Sequence, residues 1–277
     1  MSGAWALCKR ELKGFFLTPV GYVVVGTFAA IAGLYFGVIF IWYSRVTQNP
    51  SAFDYNGIPD FEEFMLSPFL VFCGQLIMFL GPLVTMRLIA EERSRGTMEL
   101  LLTYPLRDRD IILGKYFGSL GIVAVLMSVI CIFLVLMGYY NPRVEPSVLV
   151  FGLFTVFLMS AAFMSLGLFV SALVKSQITA ATTTFGLWFI LFILGTAGGE
   201  MAPTMTIPES WAGSYRDAAQ LVYSVFRQLV LELPLDNHAE DMAQGVFAPI
   251  DIAYYILFAA FFLFLTFRAL ESRKWRA

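Results

Sequence analysis

Glu91, Arg95 and Glu99 stand four residues apart in the stretch EERSRGTMELLLTYPL, residues 91–106. Four-residue spacing puts opposite charges on one helix face, so the pattern supports a helical turn on either side of Gly96. Met98, Leu101 and Leu102 follow as an apolar face, and Pro105 closes the element. The chemistry open to such a segment is docking: a small hydrophobic knob enters a groove while charges set its register. The competing reading is an ordinary loop with a solvated charge run. Bond-making chemistry finds less footing. The chain holds no HExxH, no GxSxG, no Cys/His cluster and no GxxxxGK[ST] phosphate loop. Energy from ATP would have to enter through another polypeptide. His238, the sole histidine, lies in the acidic string LDNHAED and reads as a solvated loop residue. Cys8, Cys73 and Cys131 have no paired spacing and read as small apolar fillers.

The elements that must position this segment are set by composition. The chain is 59% hydrophobic and 14% charged, against about 25% charged for a soluble domain. Its charges are clustered, leaving uncharged intervals at 14–44, 64–86, 116–142, 146–174, 176–199 and 252–267. Crossing the hydrocarbon core takes about 20 mostly apolar residues. Five intervals meet that length, and the sixth does so with Val246–Ile250 if Asp251 sits at the membrane edge. The reading is an all-α integral membrane protein, one membrane-spanning domain over 1–277. Its six transmembrane spans lie at about 20–43, 65–87, 110–139, 147–174, 178–198 and 248–268.

An even number of spans puts both termini on one side. With that side cytoplasmic, only Arg45, Arg143, Arg216 and Arg227 of the 18 basic residues lie outside, as the positive-inside rule favours. The first apolar run continues for a full span, so it reads as a retained helix rather than a cleaved signal.

Three further features complete the plan. Residues 4–16 place Trp5, Cys8, Leu12 and Phe15 on one stripe, with Lys9, Arg10 and Lys13 on the other side, as in a helix lying in the inner interface. The outer loop 199–247 carries Trp211, Tyr215, Ala218, Val222, Val225 and Leu229 at steps of three and four. That is an amphipathic helix, with a capping box at Thr206 and Glu209 and a stop at Pro234. No span has an ionisable residue near its centre, which argues against an ion-coupled carrier. Gln75, Ser128, Ser160 and Thr183 are the notable mid-span polar side chains, each expected to find a partner within the bundle.

The string EERSRGTMELLLTYPLRDRDIILGKYFGS resembles the signature of ABC type-2 exporter permeases, with two acidic residues, GT, Glu-Leu-Leu, Pro and a GK opening the third span. KRELKGFFLTPVGYVV, residues 9–24, further resembles the gliding-motility-type branch. The resemblance implies that the segment over about 91–103 is a coupling helix seated in a separate ATP-binding subunit. Its contact residues would be Glu91, Glu92, Arg93, Gly96, Thr97, Glu99 and Leu101, with Gly96 giving a bend or a close approach. The N-terminal helix would be the family's interface helix, bearing Trp5, Lys9, Arg10 and Lys13. The helix before span six would be its outer re-entrant helix. Spans two and five, with Gln75 and Thr183, would line the path.

The partners implied are two ATP-binding subunits, which would hold ATP and Mg; a second permease chain, identical or not; membrane lipids; and an accessory extracytoplasmic protein. No cofactor or metal is expected in this chain, and no nucleic acid. The location implied is a prokaryotic inner membrane. The expected activity is alternating-access export driven by the partner ATPase. The alternative is a non-transporting anchor or regulatory subunit that recruits a cytoplasmic ATPase. A path of apolar and hydroxyl side chains suits lipids, glycolipids, peptides and hydrophobic drugs alike.

Overall fold

The computed structural model describes residues 2–53, 59–96, 108–140, 144–205 and 213–274. Among these residues all regular structure is helical. Helix α1 spans Ser2–Leu17 and α2 spans Pro19–Gln48. The break between them is Thr18, extended at φ −100° and ψ 147°, followed by Pro19 in the first helical turn, where proline's missing N–H costs nothing. A π-helical turn at Glu62–Leu66 leads into α3, Ser67–Thr85. A short α4, Ala90–Ser94, follows. Then come α5 (Asp108–Tyr140), α6 (Pro146–Leu173), α7 (Gln177–Glu200), α8 (Gly213–Glu232), α9 (Glu240–Ala243) and α10 (Pro249–Lys274).

Among the described residues six stretches are long and apolar enough to cross a membrane: Pro19–Gln48, Glu62–Ser94, Arg109–Tyr140, Pro146–Leu173, Gln177–Glu200 and Pro249–Ser272. They are not equal. In its most apolar window α3 is 67% buried and α6 is 56%, whereas α7 and α10 are each 11% buried. The centre is therefore the α3–α6 pair. Small residues make the approach possible, as lipid gives helices no hydrophobic reason to associate. A Cβ on Gly81 would lie 2.8 Å from the Phe163 ring and one on Gly167 would lie 2.5 Å from the Thr85 hydroxyl. Phe69, Leu70, Ile77, Phe163 and Met164 fill the seam.

The polar spans are satisfied unevenly. The Ser128 hydroxyl bonds back to the Val125 carbonyl at 2.6 Å. Ser160, expected to find a partner, is buried with no hydrogen-bond partner among the described residues. Cys8 and Cys73 are buried as fillers, but Cys131 is exposed on the outer side of α5.

After α7 the chain turns back on itself. Helix α8 presents Arg216, Gln220, Tyr223 and Arg227 along one side. Three of them hold the segment that follows α7: Gln220 Nε2 to Met205 O (3.0 Å), Tyr223 Oη to Ala202 O (2.8 Å) and Arg227 Nε to Met201 O (3.3 Å). Its apolar side, with Val222, Phe226 and Leu229, is exposed. Thr206, Glu209 and Trp211 lie outside the described residues. The helix stops at Glu232, two residues before Pro234. Helix α9 packs against α3 and α6, and Gly245, at φ +87°, makes the bend into α10 that a side chain would strain.

Candidate functional site

The site begins with the seat of α1 on α5. Gly114, Gly118 and Gly121 recur at four and three residues, so they share one face of α5. A Cβ on Gly114 would meet Ala4 O and Leu7 Cβ at 2.8 Å, and one on Gly118 would meet Glu11 Cβ at 2.8 Å. The buried side of α1 is accordingly Leu7, Cys8 and Phe15, with Glu11 and Leu12 against the glycines. Trp5, expected on this stripe, is 61% exposed. It falls at the margin of the buried arc, where the Lys9 ammonium stands 5.4 Å from its ring centroid. Lys9, Arg10 and Lys13 are exposed, as the pattern requires.

Glu11 brings a carboxylate into this apolar seat, and Lys115 on α5 answers it. Lys115 is 1% exposed and lies 2.9 Å from Glu11 Oε1 and 3.1 Å from Glu92 Oε1. Arg10 Nη2 reaches the same two oxygens, at 3.2 Å and 2.7 Å. The four groups close a ring of alternating charge, with each carboxylate oxygen shared by both cations. Burial works against the Arg10 guanidinium, but Glu11 and Glu92 outweigh it and hold its pKa above the ordinary arginine value. Burial, and then Glu11, push the Cys8 thiol up. Sequence reasoning missed this ring. The available signal was a glutamate inside an apolar stripe and a lysine between two glycines.

The ring fixes α4. Glu92 projects from it toward α1 and α5, with its side chain 15% exposed. Arg93 Nη1 donates to the Val174 carbonyl at the end of α6 (3.0 Å). The backbone N–H groups of Ile89 and Ala90 both donate to Ser171 Oγ, at 3.1 and 3.0 Å, which satisfies two of the orphan donors at the helix start. Glu91 is not a member of the ring and pairs with Arg95 at 2.6 Å across one turn, the spacing read from the sequence. The turn ends at Gly96, φ +69°, with nothing within 4 Å of a built Cβ. Gly96 therefore serves a bend rather than a close approach. Thr97, Glu99 and Leu101 lie outside the described residues. Of the segment's named residues, the structure turns Glu92 and Arg93 inward, while Glu91 is half-buried and its partner Arg95 is exposed.

Away from the ring, near the middle of α3, Gln75 Nε2 donates to Asp236 Oδ2 at 3.2 Å. No span centre carries a charge, yet the loop after α8 delivers a carboxyl to one. Burial raises the Asp236 pKa, opposed by backbone hydrogen bonds, Gln75 and His238. His238 is not a solvated loop residue. Its side chain is 10% exposed, its Nδ1 lies 2.7 Å from Asp251 Oδ1, and its ring stacks on Tyr254 with centroids 4.0 Å apart. Its Nε2 lies 3.0 Å from the Glu232 carbonyl oxygen. The partners that withdraw it from water lie across the turn into α10, out of sight of the local acidic composition. Thr183 is exposed on α7. The cavity beside Gln75, about 760 Å³ between α2 and α3, is lined by Tyr35, Trp42, Glu63, Phe72 and Gln244 among others and does not include Thr183.

A helical membrane bundle with a short charged turn braced beneath its second span now has a family. The model of the ABC-2 family transporter proteins matches residues 44–266, most of the chain, and the chain belongs to that family. It is a multi-pass membrane protein by its six apolar helices. It is similar to the probable ABC transporter permease protein NosY of Pseudomonas aeruginosa, with 33% identity over 129 residues. That match takes in 43% of this chain and 46% of the relative, so the chain spans about half the length of the curated relative it matches.

Proposed function

We propose that the chain is the membrane-spanning permease subunit of an ATP-driven transporter, with its termini in the cytoplasm of a prokaryotic cell and a separate ATP-binding subunit docked on α4. Two permease chains around a central path and two ATPases beneath them complete the complex. ATP and Mg belong to the partner. The observation that carries this reading is the bracing of α4: Glu92 in the charge ring, Arg93 on Val174 and the Ile89 and Ala90 N–H groups on Ser171. A turn tied to α1, α5 and α6 at once can pass a displacement into the bundle, while Glu91 and Arg95 remain available to an outside partner.

The mechanism is a two-state equilibrium. ATP-driven approach of the partner subunits displaces α4, and the ring and the Ser171 contact carry the motion to α5 and α6. Nucleotide must bind one state more tightly, as equal affinity for both would shift nothing. Glu91→Arg tests the assignment. It should abolish coupled transport and the stimulation of the partner ATPase by the permease, with the thermal midpoint of the purified chain changed little, as an exposed pair contributes at most about 1 kcal/mol. Normal transport and normal stimulation in this variant would remove α4 from the coupling role.

A further inference from the structure

A cavity of about 350 Å³ opens beside the charge ring, between α1, the end of α3 and the start of α5. Its size is at the small end of small-molecule sites, about 300–1,000 Å³. The ionic side chains on its wall are Arg10, Glu11, Arg87, Glu91, Glu92, Arg95 and Lys115. Arg10 and Lys115 are balanced by Glu11 and Glu92 in the ring, and Arg95 is balanced by Glu91. Arg87 is left over. Among the described residues its polar contact is to a neutral group, Nη1 donating to Thr18 Oγ1 at 2.9 Å, and its Nε is buried without a hydrogen-bond partner. The wall around it is otherwise apolar, with Phe15, Val84, Leu88 and Ile122.

The depth of this cavity in the bundle narrows its ligand. Thr18 immediately precedes the first span, Arg87 is the first charged residue after Glu63 along the second, and Lys115 is the last before the apolar run of the third. All three mark where hydrocarbon gives way to the headgroup layer. One uncompensated guanidinium with an unused donor, above an apolar wall at that depth, matches one negative charge carried on oxygens. Arginine suits phosphate because its planar fork presents several N–H groups to it.

We propose that the cavity binds a phosphate-bearing anion through Arg87, with the headgroup of an anionic phospholipid as the source favoured by its depth. The apolar wall then receives the glycerol end of the lipid, and the bound phosphate completes the charge balance of the junction. The Glu91–Arg95 pair shares the wall of this cavity, but the ligand contact is Arg87, and its test needs neither ATP nor a transported substrate.

The full-length chain, purified in a nonionic detergent, is titrated in parallel with dioctanoyl phosphatidylglycerol, dioctanoyl phosphatidylcholine and inorganic phosphate, and bound copies are counted by native mass spectrometry. One copy of the anionic lipid should be retained, with about tenfold preference over the zwitterionic one. Arg87→Gln should weaken it by about tenfold or more, the scale of a lost charge-assisted hydrogen bond, and Lys13→Gln on the exposed side of α1 should not. Occupancy by inorganic phosphate without the anionic lipid would overturn the lipid source and keep the phosphate site. Arg87→Gln binding the lipid like the unaltered chain would overturn the site. Hydrogen exchange on the unaltered chain gives a check that needs no variant. The anionic lipid should slow exchange in 84–92, and protection confined to other segments would overturn the proposal.

Discussion

At one end of the bundle Arg10, Glu11, Glu92 and Lys115 close a ring of formal charges. Away from it, Gln75, Asp236, His238 and Asp251 meet through an amide, a ring nitrogen and carboxyl groups. Both clusters bring together residues far apart in sequence, and both draw polar groups against apolar spans. They differ in what holds them. The ring depends on each member, because both carboxylates share both cations, and removing one cation leaves two negative charges on the other. The distal cluster is held by single hydrogen bonds and by burial, and its Asp236 carboxyl is shifted upward, so its strength depends on protonation. One cluster is sensitive to deletion and the other to pH.

The largest expected effect breaks the ring. Lys115→Met should destabilise the chain by about 3 kcal/mol or more, since Glu11 and Glu92 would then share Arg10 alone. Denaturant unfolding in detergent reads this directly, and a loss below about 1 kcal/mol would mean that the ring is not held as described. A smaller effect comes from the seat beneath it. Gly114→Ala places a Cβ 2.8 Å from the Ala4 carbonyl oxygen and from Leu7 Cβ, and neither can swing away. It should cost about 1–3 kcal/mol, the range for overpacking, and should raise proteolysis within α1.

The smallest effect sharpens the contrast at the distal cluster. A carboxyl whose folded pKa is raised contributes stability that is fully present below its unfolded pKa and is lost as pH rises through the folded value. Asp236 therefore favours the folded chain under acid conditions, and that gain fades from the ordinary aspartate range up to its raised value. Asp236→Asn should flatten the unfolding midpoint over that window and leave it unchanged or slightly higher at neutral pH. A steeper pH dependence in the variant would contradict the upward shift.

These differences track what the sequence could reveal. The six spans were legible because charges mark their ends, and the Glu91–Arg95 pair was legible because a helix fixes its spacing. The amphipathic character of α1 was equally plain. Its seat was not, as the depth of burial depends on Gly114, Gly118 and Gly121 a hundred residues away, and Trp5 fell outside the arc they accommodate. The ring links Glu11, Glu92 and Lys115, which no local period connects. His238 misled for the opposite reason. Its neighbours in sequence are acidic and polar, while its environment is made by Tyr254 and Asp251 after the chain has turned into α10. Local chemistry is legible wherever a helix carries both partners, and it fails where the bundle brings them together.

The hydroxyl of Ser171 accepts from two successive peptide N–H groups at the head of α4. A joint of that kind behaves as a pivot pin: the short turn can tilt about the oxygen, but it cannot slide along α6 without losing both bonds together. Under the proposed coupling role, a push on α4 would become leverage on the fourth span, which with the second is the most enclosed of the six.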